Sequence, residues 1–321
     1  MSDHASEERR VNVAVVGPGA VGTVIAYSLN AVGIKPYLVF RTAAQAKAAA
    51  EHGVKVIVNN SLESVDATPV PQHRLGGKLI DVAFLTVKAY DVTAAARSVR
   101  PSLRDGAVVV ICQNGLGVVE RVLRVLGRGF RYVRAVLNLG AFRRGGGVVK
   151  LAGIGESYVG SVGGDEGTAE EVASMLRELN VKPVKNVWRY VWLKLAVNAG
   201  INPVTALLGI TNGELLRIRT ALAVATEAAL EVGSLARVRG IALPKDPVSE
   251  VVRVAEATSG NRSSMLQDVL AGRRTEVDYI NGAACLEGLK DGVEMRVNCV
   301  LWALVKSLEG RHRLFTVDDR V

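Results

Sequence analysis

Three cysteines in 321 residues, Cys112, Cys285 and Cys299, are odd in number and widely spaced. Such usage predicts neither a disulfide framework nor a CxxC metal site, and it favours a reducing compartment. Histidine is nearly as scarce: His4, His52, His73 and His312 stand in no ligand spacing, so neither a metal nor a histidine base is expected. The first ten residues, MSDHASEERR, are polar, and no apolar h-region follows them. No later stretch reads as the continuous apolar run that a membrane span requires, so no membrane partner is expected and a soluble cytoplasmic protein is. The net charge of +9 would suit nucleic acid, an anionic surface or small acidic ligands. The arginines from Arg121 to Arg144 are interleaved with Val, Leu and Gly and lack stacking aromatics, so they read mainly as solvated surface, and a nucleic-acid partner is not expected. No internal repeat or low-complexity linker divides the chain.

What is present is globular composition, 49% hydrophobic and 22% charged, at a length that suits two domains. Val11 to Val16 is an apolar, β-branched stretch ending at Gly17, after which helix formers run from Val21 through Leu29. Pro36 to Phe40 predicts a second strand, Ala43 to Glu51 a helix, and Leu79 to Val87 and Ala107 to Cys112 further buried strands with a helix between them. Strands alternating with helices predict a parallel sheet with right-handed crossovers. Gly145 to Gly147, Ser157 to Gly164 and the acidic helix after Thr168 read as its far edge, with antiparallel strands an option. Beyond about Asn186 the apolar residues recur at helical spacing, with breaks predicted at Gly200 to Pro203, Gly209 to Gly213, Gly240 to Pro247 and Ser259 to Ser263. The expected fold is α/β: a dinucleotide-binding, doubly wound sheet of Rossmann type over residues 1–185, then an all-α substrate domain over 186–321, with a cleft between them as the default binding site.

Gly17-Pro18-Gly19-Ala20-Val21-Gly22 is a GxGxxG sequence set between a strand and a helix. The first glycine permits the tight turn, the second lets the backbone approach a pyrophosphate, and the third lets helix and strand pack closely. The helix N-terminus then offers free N–H groups and partial positive charge to phosphate. At the end of the second strand an NAD enzyme usually places an acid for the ribose 2′-hydroxyl, whereas this chain reads Val39-Phe40-Arg41-Thr42. The Arg41 fork suits a 2′-phosphate, with the Thr42 hydroxyl as a second partner, so NADP (NADPH) is expected over NAD, which stays open. An exposed arginine at a strand end is the ordinary alternative.

Four further stretches, Thr86-Val87-Lys88-Ala89-Tyr90, Gln113-Asn114-Gly115-Leu116-Gly117, Lys194 through Pro203 and Ser263 through Gly282, complete the pattern. With the glycine turn they resemble the ketopantoate reductase family in order along nearly the whole chain. WLKLAVNAGINP and SSMLQD…RRTEVDYINGA are the most specific segments. The resemblance implies NADPH-dependent reduction of 2-dehydropantoate to (R)-pantoate, a step toward pantothenate and coenzyme A. It also implies that Asn198, Asn202 and Ser264 hydrogen-bond the substrate. Lys88 and Asn114 would line the ribose and nicotinamide side of the cofactor, with a place near the substrate carboxylate open to Lys88 and Asn114 counted for substrate as well.

Lys194, Asn198 and Asn202 are spaced i, i+4, i+8 and share one side of a helix if that helix continues through Gly200. A ketone receiving hydride develops negative charge on oxygen, and Lys194, set among Trp192, Leu193, Leu195 and Val197, can supply the proton. Asn202 before Pro203 equally suits a cap and first-turn pair opening a new helix. Ser263 and Ser264 suit the cap of a helix beginning at Met265, where position favours Ser264. Glu276 is expected to face the ligands beside Lys194, keeping it protonated and oriented, binding the substrate's distal hydroxyl, or meeting the cofactor. A surface pairing with Arg273 or Arg274 is the alternative, and Asp278 is the competing acid. Lys88 and Asn114 each follow a predicted buried strand at the carboxyl edge, where α/β sheets bind ligands. Cys112 reads as a small buried residue. A related NAD(P)-dependent 2-keto acid or 3-hydroxy acid reductase shares these features. A non-catalytic dinucleotide-binding regulator is disfavoured by the presence of Lys194 and Glu276. A homodimer is compatible with the sequence, which does not fix the oligomeric state.

Overall fold

The computed structural model describes residues 11–77 and 79–318. The polar first ten residues with His4, and the side chain of His312, lie outside that description. The chain forms two compact units. The first comprises the chain up to Val87, Asp91–Cys112 and Val122–Pro183; the second comprises Lys88–Tyr90, Gln113–Arg121 and the chain from Val184.

The first unit follows the order β1 (Val13–Val16), α1 (Ala20–Asn30), β2 (Tyr37–Phe40), α2 (Ala43–His52), β3 (Lys55–Val58), β4 (Ser61–Ser64), β5 (Thr68–Pro71), β6 (Ile80–Leu85), α3 (Val92–Val99) and β7 (Leu103–Ile111). Helix α4 (Val118–Leu126) is divided between the two units after Arg121, and the first unit continues through β8 (Arg131–Val136), β9 (Leu139–Gly145), β10 (Val148–Ile154), β11 (Ser157–Ser161), α5 (Glu166–Met175) and β12 (Val181–Pro183). Eight strands build one sheet in the order β12-β11-β8-β7-β6-β1-β2-β5, parallel throughout except where β11 runs against β8. β1 and the last five residues of β7 are buried on both faces, as expected of parallel strands covered by helices. β1 lies between β2 and β6, so the strand order reverses where the glycine turn leaves β1, the position at which open α/β sheets take ligands.

Two expectations for this unit are corrected. Gly145 to Gly147 is the turn of the β9–β10 hairpin in a separate four-stranded sheet, β4-β3-β10-β9, and not an edge of the main one. Arg134, within the arginine-rich stretch read as surface, is 3% exposed and donates from Nη1 to the Ile111 and Ala135 carbonyls at 2.8 Å each.

The second unit is helical: α6 (Trp188–Leu208), α7 (Asn212–Arg217), α8 (Arg219–Val238), α9 (Pro247–Ala257), α10 (Ser264–Leu270), α11 (Asn281–Asp291) and α12 (Arg296–Asp318). Three of the four predicted breaks separate helices: Gly209 closes α6 in the left-handed region, Asp246 caps α9, and Ser263 caps α10. The fourth is overturned, because α6 runs unbroken through Gly200 and Pro203, and Asn202 opens no new helix. Gly200 is required by close packing: a Cβ there would sit 2.4 Å from the Ala225 carbonyl of α8. Pro203 removes the N–H that would meet the Ala199 carbonyl, and Asn281 supplies the missing donor, its Nδ2 lying 2.9 Å from that oxygen. The second Asn281 hydrogen goes to Asn298 Oδ1, and Asn298 in turn donates to the Ala228 carbonyl and to Glu231.

Two absences read from the sequence are also corrected. By length and composition α6 would pass as a membrane span, since its 21 residues carry few charges; 78% of its most apolar window is buried, as the core helix of this unit. Cys285 of α11 and Cys299 of α12 form a disulfide across 14 residues, because the two helices pack as a hairpin that brings their Cα atoms to 5.1 Å.

Candidate active site

In the first unit the glycine turn has the geometry that its sequence requires. Gly17 adopts φ +86°, and a Cβ there would lie 2.3 Å from the Val87 side chain. A Cβ on Gly22 would lie 2.6 Å from Thr86 Oγ1, whose hydroxyl is itself 2.8 Å from the Gly17 carbonyl. Gly19 differs: its added Cβ would meet nothing nearer than 3.9 Å, so the space over the second glycine is open where a pyrophosphate would have to approach the backbone. No side chain caps α1 at Gly19, whose own amide donates to the Gly17 carbonyl at 2.6 Å; the Ala20 and Val21 amides of the first turn are left to face an anion, with the positive end of the helix behind them. These residues fit a dinucleotide.

Arg41 projects from the end of β2 with 69% of its side chain exposed and pairs with Asp91 at 2.8 Å. The sequence places no acid after β2, but the fold brings one from the segment preceding α3. Thr42 caps α2 by accepting from the Gln45 amide at 3.2 Å, and its hydroxyl hydrogen is left to serve another partner.

In the second unit, Lys88–Tyr90 and Gln113–Arg121 both fold onto one stretch, residues 274–279. Ala89 donates its amide to Glu276 Oε1 at 2.9 Å, and the Tyr90 hydroxyl and ring meet the Arg274 carbonyl and guanidinium. Gly115 lies so close to Tyr279 that an added Cβ would stand 2.2 Å from its carbonyl oxygen, while the Leu116 amide donates to that oxygen at 2.9 Å. Asn114, half-buried, is set by this contact at the residue before Gly115.

Glu276, 7% exposed, meets Lys88, with Oε2 3.6 Å from Nζ. The Lys88 ammonium is also 2.5 Å from Asp268 Oδ2. Burial alone pushes the Lys88 pKa down, but the carboxylates of Glu276 and Asp268 and the hydrogen bond to Asp268 outweigh it and hold it above the usual lysine value. Arg273 pairs with Asp268 and Arg274 with Asp278, so neither takes Glu276. Asp278 is occupied by Trp302 Nε1 at 2.8 Å, Arg274 and Lys306, a structural knot rather than a rival site acid.

Lys194, Asn198 and Asn202 lie on the single unbroken helix α6, one turn apart, about 6 Å of rise per step. Lys194 is half-buried between the buried side chains of Trp192, Leu193 and Leu195, and Asn202 is 6% exposed. Ser264 is exposed at the first position of α10; the cap is Ser263, whose Oγ accepts from the Leu266 amide and from Thr205 Oγ1 of α6. α10 therefore begins at Ser264, one residue before the expected start. Glu276 and Asn281 join these groups, since Glu276 holds Lys88–Tyr90 and Asn281 grips α6 at Ala199. Asp268 was missed. It sits inside the recognised SSMLQD segment, but nothing local in the sequence says that a helical aspartate is buried.

A Rossmann-type unit with a GxGxxG turn, followed by an all-helical unit, defines the class as a dinucleotide-binding oxidoreductase. Comparison with known proteins narrows it. Residues 13–164 match the family described as ketopantoate reductase PanE/ApbA, and residues 186–309 match its C-terminal domain. The chain belongs to the ketopantoate reductase family. It is 38% identical over 303 residues to 2-dehydropantoate 2-reductase of Pyrobaculum aerophilum, covering 92% of this chain and 97% of that protein. To the enzyme of that name from Archaeoglobus fulgidus it is 35% identical over 305 residues, covering 92% and 97%. Among solved structures it is similar to a PanE/ApbA family ketopantoate reductase from Ralstonia eutropha JMP134, with TM-score 0.84, 27% identity and coverage of 94% of this chain and 100% of that one. It is also similar to D-mandelate dehydrogenase solved with NADH and anilino(oxo)acetate, with TM-score 0.86, 25% identity and coverage of 94% and 99%.

Proposed function

We propose that this chain is a soluble cytoplasmic reductase that converts 2-dehydropantoate to (R)-pantoate with NADPH, serving pantothenate and coenzyme A synthesis. The observation that carries the reading is the unbroken helix α6, which sets Lys194, Asn198 and Asn202 along one side because Asn281 repairs the break at Pro203. The glycine turn would hold the pyrophosphate of the dinucleotide, whose nicotinamide would supply the hydride. Lys194 hydrogen-bonds the ketone oxygen as its negative charge develops and delivers the proton that completes the hydroxyl. Asn198, Asn202 and Ser264 orient the keto acid through its carboxylate or hydroxyl oxygens. Glu276, with Oε1 committed to the Ala89 amide, has lone pairs left for a substrate hydroxyl or the cofactor. Arg41 reads the 2′-phosphate, and Lys88 and Asn114 line the ribose and nicotinamide side.

A second reading, a related 2-keto acid reductase that uses NADH, is favoured by the likeness to D-mandelate dehydrogenase, which was solved with NADH. One experiment separates the two. Initial rates of NADPH oxidation are measured with 2-dehydropantoate, pyruvate and 2-oxoisovalerate, then repeated with NADH. Preference for 2-dehydropantoate with NADPH supports the first reading; faster turnover of another keto acid, or preference for NADH, supports the second.

A further inference from the structure

We infer that Asp268 is a positioning residue of this reductase: its buried carboxylate fixes the Lys88 ammonium in the orientation from which Lys88 meets the cofactor. The inference rests on the proposed reading of Lys88 as a cofactor residue.

Asp268 occupies an unfavourable place for an acid. It lies in the last turn of α10, where the helix carries partial negative charge, and its side chain is only 3% exposed. Packing alone would be served as well by an apolar side chain of similar size. Two cations offset the burial. Arg273, five residues on, donates to Oδ1 from Nε at 3.0 Å and returns its own amide to the Asp268 carbonyl at 2.8 Å. With Oδ1 fixed by this local clasp, Oδ2 is left facing Lys88, 180 residues away in sequence, at 2.5 Å. Lys88 is held but not hidden, with 34% of its side chain exposed. Glu276, the other carboxylate near it, stands farther off at 3.6 Å and is already engaged by the Ala89 amide. Asp268 is therefore the group that decides where the ammonium points. Without it, Lys88 would close on Glu276 and neutralise that acid.

The test compares wild type, Asp268→Asn, Asp268→Glu, Lys88→Ala and the double variant Lys88→Ala/Asp268→Asn. NADPH binding is followed by fluorescence titration without substrate, steady-state kinetics give KM and kcat, and thermal melts report folding. Asp268→Asn should weaken NADPH binding about tenfold, equivalent to about 1.4 kcal/mol, while KM for the keto acid stays near wild type; the melting midpoint falls with the loss of a buried partner of two cations, but the variant stays folded at the assay temperature. Lys88→Ala should match it, the double variant should be no worse than Lys88→Ala alone, and Asp268→Glu should recover part of the loss. Unchanged NADPH binding in Asp268→Asn, or additive losses in the double variant, would overturn the inference. If Asp268→Asn does not fold, acylation of the wild type by N-hydroxysuccinimidyl acetate decides, read by mass spectrometry. Lys88 should react far more slowly than the exposed Lys35 and Lys47, and equal rates would sink the clasp. Failure of the reductase reading is separately visible, as absence of turnover in a wild type whose Lys88 is still protected.

Discussion

Asn281 donates its side-chain amide to the Ala199 carbonyl at 2.9 Å, the oxygen that Pro203 leaves without a helical partner. A residue 78 positions beyond the proline thus keeps α6 in one piece, and with it the alignment of Lys194, Asn198 and Asn202. Asn281→Leu should lower stability by about 1–3 kcal/mol, the cost of an orphaned buried acceptor, measured by denaturant unfolding. In a Pro203→Ala background the helix regains its own N–H, so the same substitution should cost less. An equal cost in both backgrounds would show that the Ala199 contact contributes nothing.

Lys194→Ala should reduce kcat by roughly 10²–10⁴, as loss of a general acid does. Melting behaviour should change little, because Lys194 is half-buried while the core contacts of α6 come from its neighbours. A fall smaller than about tenfold would move the proton-donating role elsewhere.

Arg41→Ala should raise KM for NADPH far more than for NADH. The guanidinium is exposed and anchored by Asp91, so its loss removes a phosphate partner without disturbing the core. Equal effects on both cofactors would show that Arg41 does not read the 2′-phosphate.

The Cys285–Cys299 bridge closes a short loop between α11 and α12. Reduction, or Cys285→Ser, should lower stability by about 3 kcal/mol on the chain-entropy argument. Thiol titration of the protein unfolded without reductant should find Cys112 alone; reactivity at Cys285 and Cys299 as well would mean that the bridge does not form in solution.

Asp278 gives the protein a defined acid limb. Burial pushes its pKa up, but hydrogen bonds from Arg274 and Trp302 and the charge of Lys306 outweigh that and hold it below the usual aspartate value. A carboxylate depressed in the folded state adds stability above its unfolded pKa of about 3.9 and loses it as pH falls through the folded value. Asp278→Asn should therefore lower stability at neutral pH and flatten the loss below about pH 4, followed by denaturant unfolding as a function of pH. An unchanged acid limb would assign the loss to other carboxylates.

The parts legible in the sequence are those fixed by near neighbours. The glycine turn, its flanking β1 and α1, and the Arg41 position depend on a few consecutive residues, and α6 declares its apolar character within one stretch. The parts not legible depend on partners far away. Gly200 and Pro203 are local signals for a break, overruled by Ala225 and Asn281. Asp91 reaches Arg41, and Asp268 reaches Lys88, only through the fold. Cys285 and Cys299 look unremarkable in spacing until two helices turn back on each other. The short strands β3, β4 and β5 carry few buried side chains, so their hydrophobic pattern is faint.

Because Lys88–Tyr90 and Gln113–Arg121 fold with the chain from Val184 onward, no single cut in the gene releases either unit whole. A fragment starting at Val184 would leave Asp268 and Glu276 without the Lys88 ammonium and Tyr279 without the Leu116 amide. A chimera that exchanges the helical half between relatives would need to carry both short inserts with it, so recombination within this architecture is constrained at five junctions where an ordinary tandem protein has one.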